Sequence, residues 1–336
     1  MKYSPELAPT TLLRIEDLSV FLNTDRGALC VLDGVSFSLV QGRSLGIVGE
    51  SGCGKTMLCR AMIGLLPGGA VVSENAHVWF RQTDLLGLSE RELNKVRAVG
   101  IAMVFQDPLS CLNPVMTAGN QIAETLVQHR RMKTKDARRR AVELLHAVGV
   151  PAPERRAGQY PHQMSGGMRQ RVAIAAALSC GPQVLIADEP TTALDVTVQE
   201  AVLDLLMQMQ RNKKMGMILV THDLGIAAVR THEVAVMYAG RIVEQLPAEK
   251  LFYNMRMPYT HALVEAIPKM DRPPHTPLRV IEGQPPAPAV RTTGCAFFPR
   301  CDRPLKRCRA ATPPLRPGHD PRHRFACWNP VGKERP

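Results

Sequence analysis

The sequence is poor in aromatic residues and has no long uninterrupted apolar run. Aromatic residues make up 4% of the 336 residues, which is too few to predict stacking platforms for single-stranded nucleic acid. The longest apolar stretch, residues 172–187, is interrupted by Gly181 and Pro182, so no segment is predicted to cross a bilayer as a helix. The first residues lack the apolar core of a signal peptide. We therefore expect a cytosolic protein whose thiols are reduced.

The net charge of +12 is concentrated in one part of the chain. From Arg291 to the last residue there are eleven Lys and Arg against three Asp and Glu, a net charge of +8. A second basic run, residues 129–140, is interpreted as the solvated face of a helix. The apolar fraction of 45% is sufficient for a large buried core. Charge alone therefore does not predict a nucleic-acid-binding protein.

Short apolar runs alternate with helical patterns from Leu12 to about Tyr253, which predicts an α/β domain with a largely parallel sheet. After Met257 the composition changes, because sixteen of the 27 prolines lie between residues 258 and 336. A regular sheet does not tolerate that density. We predict one domain over residues 12–255 and a small, loop-rich domain over residues 256–336. Buried strands are predicted at residues 44–49, 100–105, 183–188, 215–221 and 233–240.

The stretch GESGCGKT at residues 49–56 lies between a predicted strand and a predicted helix, and it matches the phosphate-binding loop pattern. Gly52 and Gly54 allow the backbone to turn its N–H groups toward a phosphate chain. Lys55 supplies a positive charge for the phosphates and Thr56 a hydroxyl for Mg²⁺. The predicted nucleotide-binding residues of this loop are Gly49, Glu50, Ser51, Gly52, Cys53, Gly54, Lys55 and Thr56.

Two further motifs complete a nucleotide site. The strand in QVLIADEP ends at Asp188, which is predicted to hold Mg²⁺, and Glu189 follows in a position to polarise an attacking water. The second motif is MSGGM, in which Ser165–Gly167 at a helix start offer a hydroxyl and exposed N–H groups to an anion. The chain thus carries two predicted anion sites, the loop at residues 49–56 and the MSGGM segment. One γ-phosphate does not need both of them from the same subunit. We therefore expect two subunits to enclose the nucleotide.

The order of these motifs resembles the ATP-binding subunits of ABC transporters over residues 12–255. The resemblance implies a P-loop NTPase with a RecA-like core, an antiparallel β-subdomain and a helical subdomain near residues 110–170. It also implies ATP and Mg²⁺ as ligands and a head-to-tail dimer. Met168 departs from the commonest family signature, which has glutamine there.

The resemblance also assigns roles to individual residues. It implies that Glu189 is the general base, that His222 senses the γ-phosphate and that Gln106 of the Q-loop contacts the metal site. It further implies that Asp195 belongs to the D-loop and that Phe21 stacks on adenine.

Three stretches carry a narrower resemblance: residues 105–122, 251–268 and 282–288. They resemble the ATPases of oligopeptide/dipeptide/nickel importers, of the dipeptide D-subunit type. That resemblance implies a peripheral subunit at the cytoplasmic face of the membrane that powers peptide import. Nickel or another small solute is the alternative cargo. The implied partners are a second homologous ATPase, giving a heterodimer, two permease subunits and an extracytoplasmic substrate-binding protein.

Four cysteines lie in the basic segment of residues 291–336, called the tail below. Their spacing, C-x5-C-x6-C-x18-C, fits neither zinc fingers nor short ferredoxin motifs. Four thiolates bind zinc or an iron–sulfur cluster, so the residues alone leave the metal open. The importer resemblance implies a [4Fe–4S] cluster, with zinc and four free thiols as alternatives. The predicted ligands are Cys295, Cys301, Cys308 and Cys327.

Two rival interpretations remain open from the sequence. The first is a soluble ABC ATPase that grips nucleic acid with its basic tail, although the chain lacks long insertions between Thr56 and Ser165 and we expect no nucleic-acid partner. The second is an ATPase whose tail is a redox sensor that gates transport.

Overall fold

The computed structural model describes residues 10–25, 27–107, 111–191, 194–267, 280–286 and 293–332. The chain forms two compact units. The first contains Met1–Arg14, Ser38–Ser44 and Trp79–Val220, and the second contains Ile15–Phe37, Leu45–Val78 and Thr221–Pro336. Within the described ranges, no helix combines the length and apolar character needed to span a membrane.

The described strands include all five that the apolar runs predict, so these predictions are confirmed. The strands are β1 Thr11–Thr24, β2 Gly27–Val40, β3 Ser44–Val48, β4 Ala70–Val72, β5 His77–Phe80, β6 Thr83–Asp84, β7 Ile101–Val104, β8 Val184–Asp188, β9 Gly216–Thr221, β10 Glu233–Tyr238, β11 Arg241–Pro247, β12 Arg316–Pro317 and β13 Arg324–Phe325.

The helices of the described ranges lie mostly between β7 and β10. They are α1 Lys55–Met62, α2 Glu90–Val96, α3 Ala118–Arg130, α4 Thr134–Ala147, α5 Pro153–Ala157, α6 Gly166–Leu178, α7 Val196–Lys213, α8 Leu224–Arg230, α9 Pro258–Glu265 and α10 Lys306–Ala310.

The first unit combines a parallel sheet with a helical layer. Strand β8 pairs in parallel with β7 on one side and with β9 on the other. All five residues of β8 are buried, as expected for a central strand covered on both faces. Helices α3, α4, α5 and α6 pack against one another, and α6 also contacts β7. The fold therefore places the carboxyl end of β8 and the start of α6 in the same unit.

The second unit contains β3 in parallel with β10, and β10 pairs antiparallel with β11. The tail extends this pairing, because β13 joins β11 and β12 joins β13. Strands β1 and β4 pair antiparallel within a second sheet. One hydrophobic core includes Val48 and Tyr238 from the strands together with Phe297 and Cys327 from the tail. Residues beyond 256 thus pack on strands that precede them, and the domain boundary near 255 stays a prediction.

Candidate functional site

The phosphate loop connects β3 to α1 and holds its lysine in place. Lys55 is 6% exposed, and its Nζ donates to the carbonyl oxygens of Gly49 at 2.8 Å and Glu50 at 3.1 Å. Gly54 precedes the helix with φ 103°, a conformation that favours glycine. A Cβ at Gly54 would lie 2.9 Å from the carbonyl oxygen of Val31. The loop therefore needs glycine at this position for two separate reasons.

The other residues of the loop differ in exposure. Ser51 and Gly52 are exposed, whereas Thr56 is half-buried in the first turn of α1. Cys53 is buried, and this burial raises the pKa of its thiol. The Cys53 side chain is therefore a neutral thiol at physiological pH.

The predicted magnesium and base residues follow β8 in the first unit. Asp188 is 1% exposed at the carboxyl end of the strand. Glu189 has φ 44°, and its N–H donates to the carbonyl oxygen of Val220 at 3.0 Å. Left-handed backbone in a non-glycine residue is a form of strain that occurs at functional sites. The amide nitrogen of Gln106 donates to Glu189 Oε2 at 3.1 Å, so the structure brings these two predicted residues together.

The signature residues begin α6, as the sequence predicts. Ser165 is the N-cap, and its hydroxyl accepts a hydrogen bond from the N–H of Met168 at 3.4 Å. Ser165 and Gly166 are exposed. A Cβ on Gly167 would lie 2.7 Å from Cγ1 of Val198 in α7. The close approach of α7 therefore accounts for a glycine at position 167.

The remaining predicted residues lie at ends of elements or on a strand. Asp195 caps α7 by accepting from the N–H of Val198 at 3.0 Å, a structural role that the sequence analysis missed. His222 is exposed directly after β9. Phe21 is half-buried on β1, opposite Val71 of β4.

The predicted site residues are divided between the two units. The second unit holds Phe21, the phosphate loop and His222. The first unit holds the Q-loop, magnesium, signature and D-loop residues: Gln106, Asp188, Glu189, Ser165, Gly166, Gly167 and Asp195.

The four cysteines of the tail line one small cavity of about 10 Å³, room for about a single water molecule. All four are free thiols. Burial raises the pKa of Cys295, Cys301 and Cys327, the last to about 11. Across the described ranges, no three or more His, Cys, Asp or Glu side chains are arranged to hold a metal ion. The donor type thus suits a soft metal, but the present spacing does not suit one without rearrangement.

Residues 32–192 match the family described as ABC transporter, and residues 243–308 match the oligopeptide/dipeptide transporter C-terminal region. The chain is 42% identical over 316 residues to the dipeptide transport ATP-binding protein DppD of Bacillus subtilis, with 94% of each chain covered. The chain belongs to the ABC transporter family.

Other members of the family show the same likeness. The oligopeptide transport ATP-binding protein OppD of Escherichia coli is 44% identical over 320 residues, which cover 95% of this chain and 94% of that protein. Among solved structures, the dimeric ATP-binding cassette MJ0796 with ADP and Pi has a TM-score of 0.64 and 27% identity, covering 71% of this chain and 99% of that one. The predicted P-loop NTPase fold is confirmed, and the chain is an ABC ATPase.

Two residues that no sequence motif marks contact the phosphate loop of this ABC ATPase. Arg300 forms an ion pair with Glu50 at 2.7 Å, and the hydroxyl of Tyr259 accepts from the N–H of Glu50 at 3.1 Å. Arg300 and Glu50 are 250 positions apart, and no local pattern predicts their contact. The only available sequence signal is that Arg300 immediately precedes Cys301.

Proposed function

We propose that this ABC ATPase binds and hydrolyses ATP to power the import of dipeptides or oligopeptides through a membrane permease. The observation that carries the proposal is the match of residues 243–308 to the C-terminal region of oligopeptide/dipeptide transporters. The two relatives described above are named for dipeptide and oligopeptide transport. The family matches of residues 32–192 and of residues 243–308 therefore support one function.

The loop residues suit phosphate binding. Lys55 Nζ is held by two backbone carbonyls, and we assign it to exchange these partners for phosphate oxygens when ATP enters. We assign Thr56, Gln106 and Asp188 to hold Mg²⁺, which neutralises phosphate charge when bound. Phe21 is assigned to the adenine ring.

The chemical step is assigned to Glu189 as the general base for the attacking water. The hydrogen bond from Gln106 fixes one oxygen of this carboxylate, which supports a role for Gln106 in orienting it. His222 is assigned to sense the γ-phosphate.

We assign Ser165, Gly166, Gly167 and Asp195 to a head-to-tail dimer, in which the signature of each subunit completes the nucleotide site of the other. The exposure of Ser165 and Gly166 supports this assignment, because a partner's nucleotide can reach them. The solved cassette MJ0796 described above is dimeric.

We further propose a peripheral position at the cytoplasmic face of the membrane. The partners would be a second, homologous ATPase, two permease subunits and an extracytoplasmic substrate-binding protein. The importer-type C-terminal region supports these assignments.

The four tail cysteines are proposed to ligate a [4Fe–4S] cluster, with zinc as the less favoured occupant. All four thiols line one cavity, which supports the proposal, and their spacing must change when a cluster binds. The two occupants require different arrangements of the thiolates. Thiolates on a single zinc ion lie about 3.8 Å apart, given a Zn–S bond of about 2.3 Å. In a cluster, each thiolate binds its own iron. Anaerobically purified protein with about four iron and four sulfide per chain, lost in Cys295→Ser, would support the cluster. One zinc per chain would refute it.

Transport is tested by uptake in cells that lack the native gene and are complemented with this chain. Wild-type protein is expected to restore uptake of a labelled dipeptide, and Lys55→Ala is not. Uptake of labelled nickel serves as the comparison. Restored nickel uptake with no peptide uptake would overturn the peptide assignment.

A further inference from the structure

Glu50 in the phosphate loop is held at three points by residues that follow the ABC cassette. Arg300 donates from Nη1 to Oε2 at 2.7 Å and from Nη2 to Oε1 at 3.0 Å, so both carboxylate oxygens are engaged. The backbone N–H of Glu50 donates to the hydroxyl of Tyr259 at 3.1 Å. A bidentate arginine–carboxylate pair fixes orientation as well as distance. Both the side chain and the backbone of Glu50 are therefore positioned from outside the loop.

Arg300 is itself held rigidly. Its side chain is 4% exposed, and the guanidinium also donates to the carbonyl oxygens of Glu282 at 3.0 Å and Ile281 at 3.2 Å. The guanidinium carbon lies 5.9 Å from the ring centroid of Tyr238. Because these contacts already order the side chain in the folded state, the pair with Glu50 costs little further conformational entropy.

A cluster of three aromatic rings connects the loop to the cysteine cavity. The ring centroids of Tyr238 and Tyr259 are 4.5 Å apart, and Phe297 lies 5.4 Å from Tyr238 and 5.3 Å from Tyr259. Tyr259 is fully buried, and Phe297 lines the cavity formed by the four cysteines. The residue that follows Arg300 is Cys301, which lines the same cavity. The three packed rings thus link Glu50 of the phosphate loop to the cavity that the four cysteines line.

The position of Glu50 affects the phosphate-binding lysine directly. The carbonyl oxygen of Glu50 accepts from Lys55 Nζ at 3.1 Å and from the N–H of Cys53 at 3.3 Å. A shift of Glu50 would therefore move the groups that line the phosphate position. Preorganised binding groups raise affinity because less order is lost when the ligand binds.

We infer that Arg300 and Tyr259 are positioning residues for the phosphate loop, so that the cysteine-bearing tail forms part of the nucleotide site. Neither residue is assigned a contact with the phosphates. Both act through Glu50, and their removal loosens the loop and weakens ATP binding. This inference uses ATP binding by the cassette and does not depend on peptides as the cargo.

The test measures ATP affinity of the full-length chain by equilibrium titration with a fluorescent ATP analogue and competition by ATP. Arg300→Ala is expected to raise the Kd for ATP about tenfold, the equivalent of about 1.4 kcal/mol. Arg300→Lys keeps the charge but not the bidentate geometry, so its Kd should lie between those of the wild type and of Arg300→Ala. Tyr259→Phe removes one hydroxyl, keeps the ring, and should raise Kd with little change in Tm. Arg309→Ala, an exposed arginine of the same region, is the matched control and should bind as wild type.

A double-mutant cycle separates positioning from general stabilisation of the tail. If Arg300 acts through Glu50, Glu50→Ala combined with Arg300→Ala should bind ATP no more weakly than Glu50→Ala alone. In the assembled transporter, Arg300→Ala should raise KM for ATP while kcat stays within about twofold. Additive losses in the double variant, or unchanged Kd values with a lowered Tm in Arg300→Ala, would overturn the inference. Wild-type protein that binds no ATP would instead refute the proposed ATPase function.

Discussion

The amide nitrogen of Gln106 lies 3.1 Å from a carboxylate oxygen of Glu189, and it donates a hydrogen bond to that oxygen. The two residues are 83 positions apart, and each follows a strand of the same parallel sheet. Glu189 also has left-handed backbone, with φ 44°. A constrained backbone and one fixed oxygen together define where the carboxylate points.

Replacing Gln106 by Ala should slow ATP turnover more than it weakens ATP binding. The hydrogen bond to a charged group is worth about 1.5–3 kcal/mol, so we expect kcat to fall by about tenfold or more. Steady-state ATPase assays on the assembled transporter would measure this. Gln208→Ala on the exposed face of α7 is the control. Equal activities in the two variants would remove Gln106 from this role.

Gly167→Ala should destabilise the protein by about 1–3 kcal/mol, as overpacking does. The new Cβ would lie 2.7 Å from Cγ1 of Val198, whereas at Gly166 the nearest atom, Cδ2 of Leu194, is 3.7 Å away. Thermal unfolding should therefore show a lower Tm for Gly167→Ala than for Gly166→Ala. Val198→Ala in the Gly167→Ala background should recover much of the loss. A Tm equal in both alanine variants would contradict the packing argument.

Cys53 should react slowly with iodoacetamide at pH 7. Burial raises the pKa of its thiol, so the reactive thiolate becomes abundant only at higher pH than for an ordinary cysteine. Mass spectrometry of labelled peptides between pH 7 and 10 should show Cys53 lagging behind the exposed Cys111 at every pH. Labelling of Cys53 at the rate of Cys111 would show that the thiol is not buried as described.

Glu244→Ala should be strongly destabilising. Glu244 is fully buried, accepts from the N–H groups of Arg256 at 2.6 Å and Met257 at 3.1 Å, and lies 2.8 Å from His323 Nε2. Removing the carboxylate leaves the buried N–H groups of Arg256 and Met257 without their acceptor, which costs about 1–3 kcal/mol for each group. Urea unfolding would measure the loss, with the exposed Glu249→Ala as control. A loss no larger than that of the control would show that Glu244 does not anchor the tail.

The parts of the site that could be predicted from sequence are those encoded by short contiguous patterns. Apolar runs predict the buried strands, and the spacing in residues 49–56 predicts the phosphate loop between a strand and a helix. Glycines within such patterns mark tight backbone geometry, and Gly54 with φ 103° agrees with this expectation.

The contacts of the tail could not be predicted, because they join distant parts of the chain. Strands β12 and β13 have two residues each, too few to show a period of two. The pairing of Arg300 with Glu50 depends on how the tail folds back onto β10 and β11, which no local spacing specifies. The N-cap role of Asp195 could not be predicted for a different reason, because Asp is common both at helix N-caps and in nucleotide sites.

The effect of Glu189→Gln on ATP binding and hydrolysis tests directly whether Glu189 activates the attacking water. This variant is expected to bind ATP with wild-type affinity while turnover falls by about 10²–10⁴-fold, the range for loss of a general base. The same preparation assayed for ATP affinity and for phosphate release gives both values. Wild-type rates of phosphate release by Glu189→Gln would show that Glu189 is not the general base.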